Sequence, residues 1–187
     1  SALISWSGSM FEYLMPLLVM RSPPESILET TYRAVVRRQI EYGNERQIPW
    51  GISEAAYAAR DIHLVYQYRA FGVPGLGFER GLSEDLVVAP YATLLATMVE
   101  PRDALRNLIR LNSLGALGRY GYYEALDFTP SRLPEDGKSV LVRAYMAHHE
   151  AMSLISLTNV IFAGLCRDLF HSDPLVRAAE LLLHERV

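Results

Sequence analysis

A short segment of the chain combines an acid, two aromatic rings and flexible backbone. Residues 49–57 read Pro-Trp-Gly-Ile-Ser-Glu-Ala-Ala-Tyr, so that Glu54 lies between Trp50 and Tyr57. Aromatic rings stack on the C–H faces of sugars, and carboxylates accept hydrogen bonds from hydroxyls or transfer protons. The segment is therefore a candidate carbohydrate site. The alternative, which the local sequence favours, is a helix start in which Ser53 is the N-cap and Glu54 lies in the first turn.

Two further segments repeat this combination of rings, glycine and acids. In residues 5–16, Glu12 lies in an apolar run, where a carboxylate must either face a cleft or pair with an arginine. In residues 119–127, Glu124 and Asp127 follow several tyrosines. If paired helices bring the three segments to one rim, we expect the three glutamates to converge there and the rings to line a carbohydrate cleft.

The composition is that of one soluble globular domain, with 50% hydrophobic and 21% charged residues. A formal net charge of −3 offers no basic surface for nucleic acid. The single cysteine, Cys166, cannot form an internal disulfide or a cysteine-based zinc site, so we expect a reducing compartment. The apolar stretches are too short or too interrupted to cross a bilayer, so we expect no direct membrane insertion by this segment.

Apolar residues recur at helical spacing in at least six segments, and no stretch alternates at period two. The pattern predicts an all-α fold of antiparallel helix pairs, at least half helical and without sheet beyond short pairings. Beyond a buried helix that begins near residue 10, the predicted helices cover residues 27–42, 86–98, 104–114, 140–162 and 175–184. Gly43 and Asn44 are expected to end the first of these.

Three motifs with known chemistry are incomplete. The glycines of residues 71–81 lack the last glycine and the strand-turn-helix setting of a dinucleotide fingerprint, so they serve either a ligand or a close crossing of packed helices. His149 and Glu150 would begin a zincin motif, but Ser153 occupies the position of its second histidine. Residues 51–55 lack a glycine of the serine nucleophile elbow. We therefore predict neither a cofactor nor a metal ion.

Five segments, taken together and in order, resemble one family. They read Ser-Trp-Ser-Gly-Ser-Met-Phe-Glu-Tyr-Leu-Met-Pro, Pro-Trp-Gly-Ile-Ser-Glu, Tyr-Gln-Tyr-x-x-Phe-Gly-Val-Pro-Gly-Leu-Gly, Arg-Tyr-Gly-Tyr-Tyr-Glu-Ala-Leu-Asp and Ala-His-His-Glu-Ala-Met. This set is similar to the glucoamylase-like central domain of bacterial cyclic β-1,2-glucan synthases. The resemblance extends over nearly the whole chain, to residues 173–183.

The resemblance implies a fold and a setting. The fold would be an (α/α)6 toroid, of which residues 1–187 are a single fragment from the C-terminal part, incomplete on its N-terminal side. The parent would be a large membrane protein with further catalytic domains, and this domain would lie, itself soluble, at the cytoplasmic face of the bacterial inner membrane. The implied partners are β-1,2-glucan and the remaining domains of the same polypeptide. Uncovered helix flanks would let the isolated fragment form a homodimer.

The activity implied is a retaining transglycosylation that cleaves linear β-1,2-glucan and rejoins it as a cyclic glucan. Retention uses two carboxyls about 5–5.5 Å apart. The resemblance makes Glu54 the first candidate for the nucleophile, followed by Glu124 and Glu12. The acid/base could lie upstream of this fragment. The fragment alone would then be inactive. Substrate-binding candidates are Trp50, Tyr57, Asp61, Tyr66, Gln67, Tyr68, Tyr122, Tyr123, Asp127, His148 and His149. The competing interpretation is a non-catalytic helical scaffold or glucan-binding module.

Overall fold

The computed structural model describes residues 2–185, of which about 46% are helical. The α-helices are α1 (Met10–Leu14), α2 (Ile27–Arg46), α3 (Pro90–Ala96), α4 (Pro101–Ser113), α5 (Ala147–Ile161), α6 (Leu165–Phe170) and α7 (Pro174–Ala179). The 3-10 segments are Met15–Leu18, Pro130–Arg132 and Glu180–His184. The strands are β1 (Ala55–Arg60), β2 (Tyr66–Arg69), β3 (Val87–Val88), β4 (Leu117–Gly118), β5 (Gly121–Tyr122), β6 (Ala125–Asp127) and β7 (Val140–Val142).

The strands form three small antiparallel sheets, ordered β1-β2, β3-β6-β7 and β4-β5. Helices are the main element and the sheets are short pairings, as predicted, but the chain is not all-α and slightly less than half of it is helical. The strands are too short to show an alternating pattern, and a short apolar run does not distinguish a buried strand from a buried helix. The longest, β1, reads Ala-Ala-Tyr-Ala-Ala-Arg and contains no β-branched residue.

Two predicted helices are each divided into a strand and a helix. Residues 86–98 contain β3 and then α3, which begins at a proline in the first helical turn. Residues 140–162 contain β7 and then α5, because Val140 and Val142 pair with the two ends of β6. The predicted helices at 104–114 and 175–184 correspond to α4 and to α7 with its following 3-10 segment.

Helix α2 continues through Gly43, which was expected to end it. A Cβ atom on Gly43 would lie 2.9 Å from the Cβ of Trp50, so the glycine permits a close approach of the helix to residues 48–50. The helix ends at Arg46, and Gln47 adopts a left-handed conformation with φ of 58°.

Buried amide side chains hold the loop that leads to Glu54. Gln39 on α2 accepts from the Ile52 N–H at 2.9 Å and donates to the Ile52 carbonyl at 2.7 Å. Asn107 on α4 accepts from the Trp50 N–H at 3.2 Å and donates to the Trp50 carbonyl at 2.7 Å. Buried backbone groups require hydrogen-bond partners, and here side chains supply several of them beside the antiparallel bridge between Ile52 and Val88. The position of Glu54 therefore depends on α2 and α4.

The glycine-rich loop crosses the N-terminal segment at backbone contact distance. A Cβ atom on Gly72 would lie 1.7 Å from the Ser7 carbonyl oxygen, and one on Gly77 would lie 2.6 Å from the Gly8 nitrogen. The Ser5 N–H donates to the Leu76 carbonyl at 3.2 Å. These glycines therefore permit a close backbone crossing, but between two loop segments and not between packed helices as predicted.

Many apolar side chains of α5, α6 and α7, and of the residues that directly follow α5 and α7, face solvent. They include Leu154, Ile161, Phe162, Leu169, Leu175, Leu181 and Leu182, all at least 63% exposed. Within residues 2–185, none of the helices has the length and apolar character needed to span a bilayer.

Candidate active site

A buried carboxylate and a buried histidine form the base of the site. Glu124 directly precedes β6 and is 4% exposed, while His149 lies in the first turn of α5 and is 3% exposed. The His149 Nδ1 atom lies 3.0 Å from Glu124 Oε2, and the Ala56 N–H donates to Glu124 Oε1 at 3.1 Å. With Glu124 ionised, the proton of this pair is on Nδ1, which leaves Nε2 of a neutral His149 as an acceptor.

Tyr91 fixes the plane of the histidine ring. The two rings stack with centroids 3.7 Å apart and planes inclined by 14°. The Tyr91 hydroxyl lies 2.9 Å from Ser53 Oγ and donates to the Glu54 carbonyl at 2.9 Å. Burial raises the pKa of Tyr91 well above its ordinary value, so the hydroxyl stays neutral. Tyr91 therefore links the orientation of His149 to the backbone of Glu54.

Tyr68 connects Glu54 to His149. Its hydroxyl donates to Glu54 Oε1 at 2.7 Å and lies 3.4 Å from His149 Nε2. Burial, followed by the hydrogen bond to Glu54, raises the pKa of Tyr68. Glu54, Tyr68, His149 and Glu124 therefore form a continuous polar chain, which we call the Glu54–Glu124 chain. Its Glu54 end is partly open to solvent and its Glu124 end is buried.

Glu54 precedes a strand and does not begin a helix, so the predicted helix start at this position was wrong. Tyr68 is carried close to Glu54 because Ala56 of β1 pairs with Tyr68 of β2. Ser53 does act at a helix start, but on another helix: its Oγ accepts from the Phe11 N–H in α1 at 2.9 Å. The hydroxyl that sequence reasoning assigned to a local cap therefore ties the site to a distant segment.

A small cavity lies beside the buried end of the chain. It measures about 10 Å³ and is lined by Tyr91, Tyr122, Tyr123, Glu124, His149, Glu150 and Ser153. This is roughly the space for one water molecule. Burial, followed by the charge of Glu124, raises the pKa of Glu150. Burial, followed by the neighbouring His149, lowers the pKa of the exposed His148.

Two predicted acids are engaged in other contacts. Glu12 is exposed, accepts from the Ser7 N–H at 3.0 Å, and is part of the start of α1, where Ser9 is the N-cap. Among the described residues it forms no ion pair with an arginine and no hydrogen bond to the Glu54–Glu124 chain. Asp127 is fully buried and lies 2.6 Å from Arg132 Nε. These contacts support helix capping and packing.

The predicted sugar-binding residues divide into two groups. Tyr68, His149, His148, Tyr122 and Tyr123 belong to the site or its immediate surroundings.

The other group lies in the core or in the β1-β2 hairpin. Trp50 is 6% exposed and packs in the hydrophobic core, so its ring has no free face for a sugar. Tyr57 contacts Phe71 and lies under the Arg132 guanidinium, and Asp61 closes the hairpin turn by accepting from the His63 and Val65 N–H groups. In the hairpin, Arg60 covers the Tyr66 ring, while Gln67 is exposed.

Sequence reasoning missed Tyr91 entirely. It follows Pro90 in a helix that is buried on every side, and an isolated tyrosine in an apolar run gives no sign of a catalytic neighbourhood. Glu150 was considered but set aside, and its raised pKa appears only once its burial is known.

Comparison with known proteins identifies the family. A family model described as "Putative glucoamylase" matches residues 1–174. The chain belongs to this glucoamylase-like family. It is 56% identical over 185 residues to the cyclic beta-(1,2)-glucan synthase NdvB of Rhizobium meliloti (strain 1021). That match covers 99% of this chain and 6% of the relative, so the chain spans a small part of the synthase it resembles. The family resemblance read from the sequence is confirmed.

Solved structures share the fold of this family member. A "putative glucoamylase" from Bacteroides fragilis NCTC 9343 matches with a TM-score of 0.69 at 20% identity, over 95% of this chain and 40% of that chain. An endo-beta-1,2-glucanase from Chitinophaga pinensis, solved with sophorotriose and glucose, matches with a TM-score of 0.65 at 17% identity, over 95% of this chain and 41% of that chain. At 17–20% identity these matches show that the fold is shared, and they do not show a shared activity.

Proposed function

We propose that this chain carries the nucleophilic part of a β-1,2-glucan-processing site, which cleaves linear glucan and rejoins it as a cyclic product with retained configuration. The observation that carries the proposal is the Glu54–Glu124 chain, in which an accessible carboxylate is held by groups that could position it and hold a proton. The substrate class rests on the 56% identical relative, a cyclic beta-(1,2)-glucan synthase.

Glu54 is the carboxylate suited to attack a sugar carbon. Its side chain is partly open to solvent, its backbone is fixed by Tyr91, and Tyr68 donates to one of its two oxygens. The second oxygen makes no hydrogen bond among the described residues, and we assign it as the attacking atom. A retaining glycosidase needs such an ionised nucleophile opposite a protonated acid.

Glu124 is not suited to be the acid/base. Both of its oxygens are occupied, one by the Ala56 N–H and the other by His149, and it is 4% exposed. We assign it a positioning role that acts through His149 and Tyr68. We assign the acid/base to a carboxyl outside these 187 residues, with Glu150 as the competing candidate because its raised pKa suits a general acid.

The larger setting that we propose is the one that the family resemblance implies. We propose that the chain is the C-terminal part of an (α/α)6 toroid within a membrane-associated synthase, at the cytoplasmic face of the inner membrane. The remainder of the toroid would cover the apolar side chains of α5, α6 and α7. The isolated chain is then expected to self-associate and to be inactive. Light scattering and an assay on linear β-1,2-glucan test this, and a stable monomer with turnover would contradict it.

Glu54→Gln in the intact synthase tests the function. The variant keeps the shape of the side chain but removes the nucleophilic charge, so cyclisation should fall at least about 1,000-fold while glucan binding persists. In Glu54→Ala, which vacates the space of the carboxylate, added azide should restore cleavage by attacking the sugar carbon, displacing the leaving glucan and giving a glycosyl azide. Glu41→Gln, on the exposed face of α2, is the matched control and should retain full activity. Normal cyclisation by Glu54→Gln would show that the nucleophile is another residue.

A glucan-binding module without catalysis is the second candidate, because both oxygens of Glu124 are occupied and this carboxylate is not suited to be the acid/base. Glucan binding by a variant series that never changes the rate of cyclisation would support that function instead. Tryptophan fluorescence can report such binding only through Trp6, which is 69% exposed, because Trp50 is buried.

A further inference from the structure

We propose that Glu54, His148 and His149 form a binding site for a divalent transition-metal ion of the zinc class. The potential ligand atoms of these three side chains all lie within 4.8 Å of one another. Two imidazoles and one carboxylate are a ligand set that zinc uses in proteins. The grouping is invisible in the sequence because Glu54 comes from the start of β1 and the histidines from α5. It is also distinct from the incomplete zincin motif, whose second histidine is replaced by Ser153.

His149 is already oriented as a metal ligand. Its Nδ1 is hydrogen-bonded to Glu124 Oε2 at 3.0 Å, and its ring is stacked on Tyr91. Metal-binding histidines commonly direct their second nitrogen at a carboxylate, which fixes the tautomer and makes the ligating nitrogen more basic. In this arrangement Nε2 is the ligating nitrogen.

The Nε2 atom of His149 makes only a long contact among the described residues, with the Tyr68 hydroxyl. The nearby Tyr68 hydroxyl has one proton, which goes to Glu54 Oε1 at 2.7 Å, whereas Nε2 lies at the longer distance of 3.4 Å. His149 is 3% exposed, so bulk water does not readily compensate. A buried ring nitrogen with so weak a hydrogen-bond partner, close to a carboxylate and a second imidazole, is a second sign of a cation site.

The other two ligands have room to adjust. In a tetrahedral zinc site with bonds of about 2.0–2.1 Å, neighbouring ligand atoms lie roughly 3.3 Å apart. His148 is exposed and Glu54 is partly exposed, so both can rotate toward a fixed His149. The rings of His148 and His149 already lie 4.0 Å apart. Three protein ligands leave the fourth position open for water.

The ligand types select the metal. Imidazole nitrogen favours zinc, copper, nickel and similar ions, whereas magnesium and calcium prefer sites made of oxygen atoms. Zinc on Glu54 would remove the carboxylate that we assign as the nucleophile, so occupancy should inhibit glucan processing. This consequence, unlike the metal site itself, depends on the proposed function.

Calorimetric titration of the intact synthase with zinc chloride, at neutral pH and without glucan, tests the site. We expect one zinc ion per chain, with affinity at least about tenfold weaker in His148→Ala, which loses an exposed ligand and should fold normally. His63→Ala is the matched control, because His63 is an exposed histidine in the β1-β2 hairpin turn. Equal affinities of the wild type and His148→Ala, or an equal loss in His63→Ala, would overturn the proposal.

Cobalt(II) provides a readout that a structural effect would not produce. The wild type should give the visible absorption of a low-coordinate nitrogen and oxygen site, and Glu54→Gln and His148→Ala should each lose it. A spectrum unchanged by both substitutions would place the metal elsewhere. Zinc binding without any effect on glucan cyclisation by the intact synthase would keep the metal site but contradict the role of Glu54 as nucleophile.

Discussion

Glu124 and Asp127 occupy the two ends of the same short strand segment, yet they are paired in different ways. Each is buried and accepts an N–H from β1, Glu124 from Ala56 and Asp127 from Ala58. Glu124 then pairs with His149, whereas Asp127 pairs with Arg132, which also binds Asp85. Arginine is always charged and binds carboxylates through a rigid fork, while histidine can gain or lose a proton near neutral pH.

The partner therefore decides what a buried carboxylate can do. The Asp127–Arg132 pair is suited to hold β1 against β6, and the Glu124–His149 pair is suited to hold a proton next to Glu54. This comparison leads to predictions that separate stability from activity.

Asp127→Asn should give the largest effect, and the effect should be on stability. Removing the charge leaves Arg132, whose side chain is 17% exposed, with Asp85 as its remaining ion-pair partner, so we expect a loss of about 3 kcal/mol in the free energy of unfolding. Urea denaturation measures it. Asp103→Asn removes an exposed ion pair with Arg106 and should cost less than about 1 kcal/mol. Similar losses in the two variants would show that the buried Asp127–Arg132 pair contributes no more to the free energy of unfolding than an exposed pair.

Glu124→Gln should affect activity more than stability. The amide oxygen can still accept from the Ala56 N–H, but its NH2 group would face His149 Nδ1 and favour the other tautomer. In the intact synthase we expect kcat to fall about 100-fold with little change in KM. Steady-state kinetics and urea denaturation together decide the matter. A stability loss as large as that of Asp127→Asn, with normal kcat, would make the two carboxylates equivalent.

Tyr68→Phe should give a smaller loss of activity. It removes the hydrogen bond to Glu54, and a bond to a charged group is worth about 1.5 kcal/mol, which corresponds to a decrease in kcat of about tenfold. Tyr42→Phe is the control, because the Tyr42 hydroxyl is buried without a partner in the described part of the chain. An unchanged rate in Tyr68→Phe would remove Tyr68 from the Glu54–Glu124 chain.

Glu150→Gln should have the smallest effect, visible as a change in the pH dependence of stability. Because the pKa of Glu150 is raised in the folded state, that state binds more protons than the unfolded state above the ordinary glutamate pKa. Its contribution to stability is therefore lost as pH rises through this range. Thermal melts between acidic and neutral pH should show the variant gaining stability relative to the wild type as pH rises. The opposite trend would contradict the raised pKa.

The sequence was sufficient to predict α2 and α4, where apolar residues recur at helical spacing, but not the strands. The pairing of β1 with β2 brings Tyr68 to Glu54 across 14 residues, and the packing of β6 against β1 brings Glu124 to Ala56 across 68 residues. Neither separation leaves a periodic signal. Trp6 and Trp50 lie in similar sequence settings, beside serine, glycine and isoleucine, and only packing shows which of them is buried.

Residues 5–8, which cross the loop at 72–77, also affect the order of folding. Ser5 Oγ donates to the Leu76 carbonyl across 71 residues, and closing a loop of that length costs roughly 4 kcal/mol of chain entropy before any contact repays it. The β1-β2 hairpin lies inside this loop and needs far shorter closure, so it should form earlier. In stopped-flow experiments Ser5→Ala should then accelerate unfolding while leaving the folding rate nearly unchanged, and slowed folding would contradict this order. Residues 5–8 would then dock last, after the segment that carries Glu54 has folded.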